Sequence, residues 1–191
     1  MAFIYIGMLL FALPHLFSML FPAVRNRLSA RLGENFYKGV YSLDSLLGII
    51  LIGFGYWQAR HGALAGASYY QPAAGASHIA LSLVLIAFIL IASNEGQGYI
   101  RKWVRHPFSI GIALWSIGHL LANGEVYVVP IFAMFLALSI FDIALGLARR
   151  GAHQFKPQIK RDCIAVVAGL IAYAVFALGF HPYVLDLPVL R

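Results

Sequence analysis

Six apolar runs separated by short polar connections dominate this chain, at residues 3–22, 38–59, 77–94, 107–123, 126–148 and 163–182. A hydrocarbon core about 30 Å thick takes roughly 20 apolar residues of α-helix to cross, and backbone in lipid must satisfy its own hydrogen bonds. The pattern predicts an all-α integral membrane bundle of six transmembrane helices, a single domain over residues 1–191. The polar positions add an orientation. Arg25, Arg27, Arg31 and Lys38 surround the first connection, Arg101, Lys102 and Arg105 the third, and Arg149, Arg150, Lys156, Lys160 and Arg161 the fifth. The second holds only Arg60 and the fourth no basic residue. With 12 of the 14 basic residues then on one side, the odd-numbered connections are expected in the cytoplasm and both termini outside. Met1 runs directly into apolar sequence with no basic leader, so residues 3–22 are expected to remain as the first membrane helix.

Composition agrees with this picture and narrows the chemistry. The chain is 61% hydrophobic and 11% charged, more apolar than a soluble domain of its length requires. Its formal charge of +7 lies in short connections and not along a stripe, so membrane lipid is an expected partner and nucleic acid is not. Cys163 is the single cysteine, which excludes a disulfide within the chain, and the absence of a CxxCH motif means any haem would be held non-covalently. Gly48, Gly53, Gly55, Gly111 and Gly118 are candidates for close helix approach. Trp115 and Phe141 are expected to pack, and Tyr69, Tyr70 and Tyr183 to anchor at the interface.

The seven histidines separate by depth. His61, His78 and His153 fall in connections and are expected to be solvated. His106 stands at the mouth of the fourth run and His181 at the outer end of the sixth, each followed by proline. His15 and His119 remain inside the apolar runs. His15 precedes Arg25 by ten residues, roughly 15 Å of helix, and His119 follows Arg105 by fourteen, roughly 21 Å. Both imidazoles are thereby placed near mid-membrane, where a titratable group is costly and needs a partner. Axial ligation of a b-type haem by two neutral imidazoles is one solution. A hydrogen bond to Asn123 or to a backbone carbonyl is the other. Asp44 and Asp142 are expected about 10 Å from the cytoplasmic edge, where they orient an imidazole, carry protons or pair with a snorkelling cation. Glu95 and Arg105 form a further candidate pair.

Three blocks carry a family resemblance: LPHLFSMLFPAVRNRLSARLGENFYKGVYSLDSLLGIILIGFGY, then RHPFSIGIALWSIGHLLANG, then HPYVLDLPV. In this order, and over nearly the whole chain, they resemble the NnrU family of bacterial membrane proteins. The resemblance implies a place in the bacterial inner membrane and a link to nitrite and nitric oxide reduction in denitrifying organisms. A plant relative sharing the domain is zeta-carotene isomerase, a haem-b enzyme that isomerises a cis double bond in a redox-dependent way. Its two ligating histidines match His15 and His119, which implies haem b and a metal-ligating role for both. One position departs: the isomerase carries a cysteine three residues before the second histidine, where this chain has Ser116. That argues against isomerisation by exchange of a thiol ligand.

Two other classes compete. RHPFSIG is similar to the RHPxYxG segment of isoprenylcysteine and phospholipid methyltransferases, which would make Arg105 and His106 binding residues for S-adenosylmethionine. Those enzymes also carry an adjacent acidic pair, and none of the seven acidic residues here neighbours another. Capping of the fourth helix, with Pro107 in its first turn, accounts for Arg105 and His106 more simply. The last class is a non-catalytic accessory or sensor protein for nitrite and nitric oxide reductases. The expected partners are thus reductase components or a small apolar substrate.

Overall fold

The computed structural model describes residues 1–149 and 155–187, and within them the regular structure is helical. The chain forms α1 (Ala2–Leu20), α2 (Pro22–Leu32), α3 (Glu34–His61), α4 (Ala76–Ser93), α5 (Tyr99–Val104), α6 (Pro107–Ala122), α7 (Val129–Arg149) and α8 (Ile159–Ala174), then a π-helical turn (Val175–Phe180) and α9 (His181–Val184). Among the described residues, five helices are long and apolar enough to cross a membrane: α1, α3, α4, α7 and the continuous run from α8 to α9. Large side chains point outward along them, Leu43 at 68% exposure and Ile171 at 60%, a surface suited to lipid. This is a multi-pass membrane protein. Of the six expected spans these account for five, and the remaining apolar run is shorter. α6 is apolar but has only 16 residues, bounded by Pro107 and by the polar Asn123–Gly124.

The segment between the first two spans, expected as a loop, is the helix α2. Pro22 starts it, its fixed φ preorganised for a first turn, and Gly33 ends it at φ +89°, a conformation other residues avoid. α2 carries Arg25, Arg27 and Arg31 on a largely exposed surface.

The chain divides into two compact units, residues 1–72 with 123–142 and residues 73–122 with 143–191. In the first, α1 packs on α3 with backbones in contact. A Cβ on Gly7 would lie 2.6 Å from the Gly48 carbonyl, and one on Gly55 would lie 2.7 Å from the Ile4 nitrogen. Small residues permit this approach, which lipid-solvated helices need because no hydrophobic gain drives them together. Ile4 is fully buried there, in a core with Ile52, Ala59, Tyr127, Val128 and Ile131. Gly53 does not take part. Nothing lies within 4 Å of its Cβ position, and it is exposed.

In the second unit α4 packs against α6 and α8. A Cβ on Gly111 would lie 2.9 Å from the Ala87 carbonyl and one on Gly118 3.1 Å from the Ala80 carbonyl, two small-residue pairs each seven residues apart along their helices. Gly169 of α8 packs on the Ile89 backbone in the same way, a Cβ there falling 2.7 Å from the Ile89 Cα. Hydroxyls buried on these helices turn inward to their own backbone, Ser93 to the Leu90 carbonyl and Ser116 to that of Ile112.

Candidate functional site

His119 belongs to the second unit and lies on α6, partly buried. Its Nδ1 stands 2.8 Å from the Trp115 carbonyl one turn back, and the Trp115 ring packs beside it at 4.9 Å between centroids. A carbonyl only accepts, so Nδ1 carries the hydrogen and the lone pair of the neutral ring sits on Nε2. That is the tautomer a metal-ligating histidine adopts when its second nitrogen is held by a backbone carbonyl. Of the two solutions open from sequence, the structure shows the hydrogen bond to a backbone carbonyl. Ser116, at the position where the plant isomerase has its cysteine, is fully buried with Oγ donating to the Ile112 carbonyl at 2.8 Å.

His15 belongs to the first unit, on α1 directly after Pro14, and is also partly buried. Its Nδ1 donates to the Phe11 carbonyl at 2.6 Å, so the same tautomer argument applies. One face of its ring stacks on Phe11 at 4.2 Å with the planes 20° apart, and Tyr41 of α3 approaches at 5.1 Å. Asp44, one turn beyond Tyr41, lies within electrostatic reach of the imidazole. The Ser18 hydroxyl, three residues on from His15, is buried and has no hydrogen-bond partner among the described residues. A histidine-to-carbonyl bond is not itself diagnostic, since exposed His61 makes one to Trp57 at 2.9 Å. What sets His15 and His119 apart is the apolar length of helix on either side of them.

The mouth of α6 has a different character. Arg105 adopts φ +62° and ψ −45°, and the His106 N–H donates to the Val104 carbonyl at 2.7 Å. This is a γ-turn of the rare, strained hand. Pro107 then begins α6 as expected. His106 is buried, with its ring against Gly146, where a Cβ would collide with it. A soluble cofactor arriving at this mouth would not meet the imidazole without moving α7. The preceding helix α5 is capped from α8: the Asp162 carboxylate accepts the Tyr99 N–H at 2.8 Å and the Ile100 N–H at 3.0 Å.

The remaining sequence candidates fall as follows. His61 and His78 are exposed as expected, and His153 and Arg150 lie outside the described residues. Glu95 accepts from the Asn94 side chain at 2.8 Å. Phe141, expected to pack, is 51% exposed. Tyr70 does more than anchor, its hydroxyl donating to the Asn123 carbonyl at 2.8 Å, beside an antiparallel bridge between Ser68 and Glu125. Sequence reasoning passed over Glu125, whose Oε2 is buried without a hydrogen-bond partner among the described residues. It also left His181 at a helix end, whereas the structure sets its ring 6.1 Å from that of His119. The signal for His181 was weak: a histidine before proline reads as a terminus, and a π-helical turn has no sequence signature.

No curated protein and no solved structure matches this chain. A family model described as NnrU protein matches residues 3–189, nearly the full length, and the chain therefore belongs to the NnrU family.

Proposed function

We propose that this protein binds haem b in the bacterial inner membrane and works in nitrite and nitric oxide metabolism, with His119 and His15 as the ligating residues that the family resemblance implies. The observation that carries the reading is the state of His119. An imidazole within an apolar helix is expensive unless it has a task, and this one is fixed by the Trp115 carbonyl with its lone pair on Nε2. His15 is fixed in the same tautomer by Phe11. Haem bound there supplies redox chemistry or binding of a diatomic gas. The chain's own contribution is to orient the imidazoles, to exclude water with apolar helices and to tune the site through Trp115, Tyr41 and Asp44. Topology follows the basic connections, with six spans and both termini outside the cytoplasm.

Isomerase-like chemistry by thiol exchange is disfavoured, because Ser116 has no thiol and its hydroxyl is committed to Ile112. Electron transfer or chemistry on a small apolar molecule or gas remains as the reaction class. The test is to purify the full-length protein in detergent from cells supplied with haem and to record oxidised and reduced absorption spectra. A haem-b spectrum that disappears in His119→Ala is the expected result. A folded, monodisperse but colourless protein overturns the proposal.

A further inference from the structure

α2 carries an apolar stripe that the rest of its unit leaves largely uncovered. Val24, Leu28 and Leu32 recur every four residues and so share one face. Phe21, which joins α2 to α1, precedes Val24 by three positions, and Leu28, the most covered of the four, is still 38% exposed. The helix is held to α3 and α1 by another side, where Pro22 and Ser29 are half-buried. Arginines border the stripe on both flanks. Arg25 precedes Leu28 by three positions and Leu32 by seven, whereas Arg31 follows Leu28 by three and Val24 by seven. Arg27, one turn before Arg31, widens the second flank. α2 contains no acidic residue, and the acid that follows it, Glu34, is paired with Lys38 at 2.6 Å.

We infer that α2 lies in the membrane surface, with this stripe among the acyl chains and its arginines on the headgroup phosphates of anionic phospholipids. The inference does not depend on haem. Two features of the fold hold the helix there. A single residue, Phe21, links it to α1 and a single residue, Gly33, links it to α3, so neither end can leave the neighbourhood of a span. The 19 residues of α1 make about 28 Å of helix, close to the thickness of the hydrocarbon, so α2 begins where that layer ends. The 28 residues of α3 make about 42 Å, and the solvated Glu34–Lys38 pair marks its first turns as reaching past the hydrocarbon beside α2. An apolar stripe bordered by cations suits such a boundary. All three cations are arginine, whose planar fork bonds a phosphate through two parallel N–H groups. Every phospholipid offers a phosphate, but net charge decides between them, each basic residue favouring an anionic surface by about fivefold. A protein partner would have to displace lipid that the two flanking spans already bring to the stripe.

The test uses the full-length chain with Cys163→Ser and Leu28→Cys, labelled with a fluorophore at position 28 and reconstituted in phosphatidylcholine bilayers. The quencher is trace lipid with a nitroxide on its acyl chain, either phosphatidylglycerol or phosphatidylcholine. Quenching should be several-fold stronger with phosphatidylglycerol. Arg25→Gln, Arg27→Gln and Arg31→Gln together should make the two lipids equal. A label introduced through Ala30→Cys, on the far side of α2, should respond to soluble acrylamide and to neither lipid. Every substituted position is exposed, so the variants should keep the wild-type helix content by circular dichroism. Acrylamide quenching as strong at position 28 as at position 30 overturns the inference and makes the stripe a face for a protein partner. A preference for phosphatidylglycerol that survives loss of the three arginines overturns it as well.

Discussion

His15 in the first unit and His119 in the second are both tied through Nδ1 to a carbonyl of their own helix, yet their surroundings diverge. Around His15 the groups are Phe11 stacked on its face, Tyr41 from α3 and the carboxylate of Asp44. These are groups that hold an imidazole in place and modulate it. Around His119 they are Trp115 on its own helix and a second imidazole, His181, delivered by a π-helical turn. The difference teaches that depth in the membrane singles out histidines that need a partner, while local helix geometry, such as the π-helical turn, decides which rings they meet.

The comparison breaks most readily at the proposed haem. His119→Ala is expected to remove bound haem altogether, read as the ratio of Soret to protein absorbance, whereas Asp44→Asn should retain haem and shift its reduction potential only slightly. Equal loss in both variants would place the two histidine neighbourhoods on the same footing. Next in size is the packing that each unit shares. Gly48→Leu forces a side chain into the α1 backbone, 2.8 Å from the Gly7 carbonyl, and Gly111→Leu does the same against Ala87. Each should cost about 3 kcal/mol, at the upper end of overpacking effects, and appear as aggregation or an early thermal transition in detergent. Gly53→Leu on the same helix as Gly48 meets nothing within 4 Å and should leave the transition unchanged.

The fate of those glycines shows how much the sequence discloses. Helix existence follows from apolar length, so α1, α3, α4, α7 and α8 lie close to the expected runs. Which face of a helix meets a neighbour is not set by length. Gly48, Gly55 and Gly111 are contacts and Gly53 is not, because positions 48, 52 and 55 share one face of α3 and position 53 points away from it. The missing contacts Gly7 and Gly169 are isolated glycines in apolar runs, with no spacing to single them out. For the candidate site, position along the chain singled out His15 and His119. It gave no sign that His181 lies beside His119, since a helical rise of about 1.5 Å per residue assumes an α-helix and carries no information about a π turn.

Smaller effects test the supports around the second unit. Asp162 reaches from α8 to accept two N–H groups at the start of α5, taking the role an N-cap side chain has in most helices. Asp162→Ala should cost about 1–2 kcal/mol and open residues 98–105 to proteolysis before global unfolding, while the spectrum of bound haem stays as in wild type. A change in the spectrum would mean that the strained turn at Arg105 communicates with His119 along α6.

The smallest expected effect lies in the first unit, at the tie between its two chain segments. Tyr70 donates to the Asn123 carbonyl at 2.8 Å from a partly open position, so Tyr70→Phe should lower stability by about 0.5–1 kcal/mol at neutral pH. The pH dependence gives a sharper signature. Partial burial, and then the negative charge of Glu125, push the Tyr70 phenol above the ordinary value of 10. A group whose value is raised on folding contributes fully while it is neutral in both states, so this contribution is complete below pH 10 and declines as pH rises through the raised value. Wild type should therefore lose part of its thermal stability in the alkaline range, and Tyr70→Phe, which has no proton to lose there, should lose less. Because Glu125 is the second cause, Glu125→Gln should bring the Tyr70 value nearer 10 and so make the alkaline loss of stability smaller, with its onset unchanged. Identical alkaline profiles in all three proteins would show that the bridge between Ser68 and Glu125, and not the tyrosine, holds these segments together.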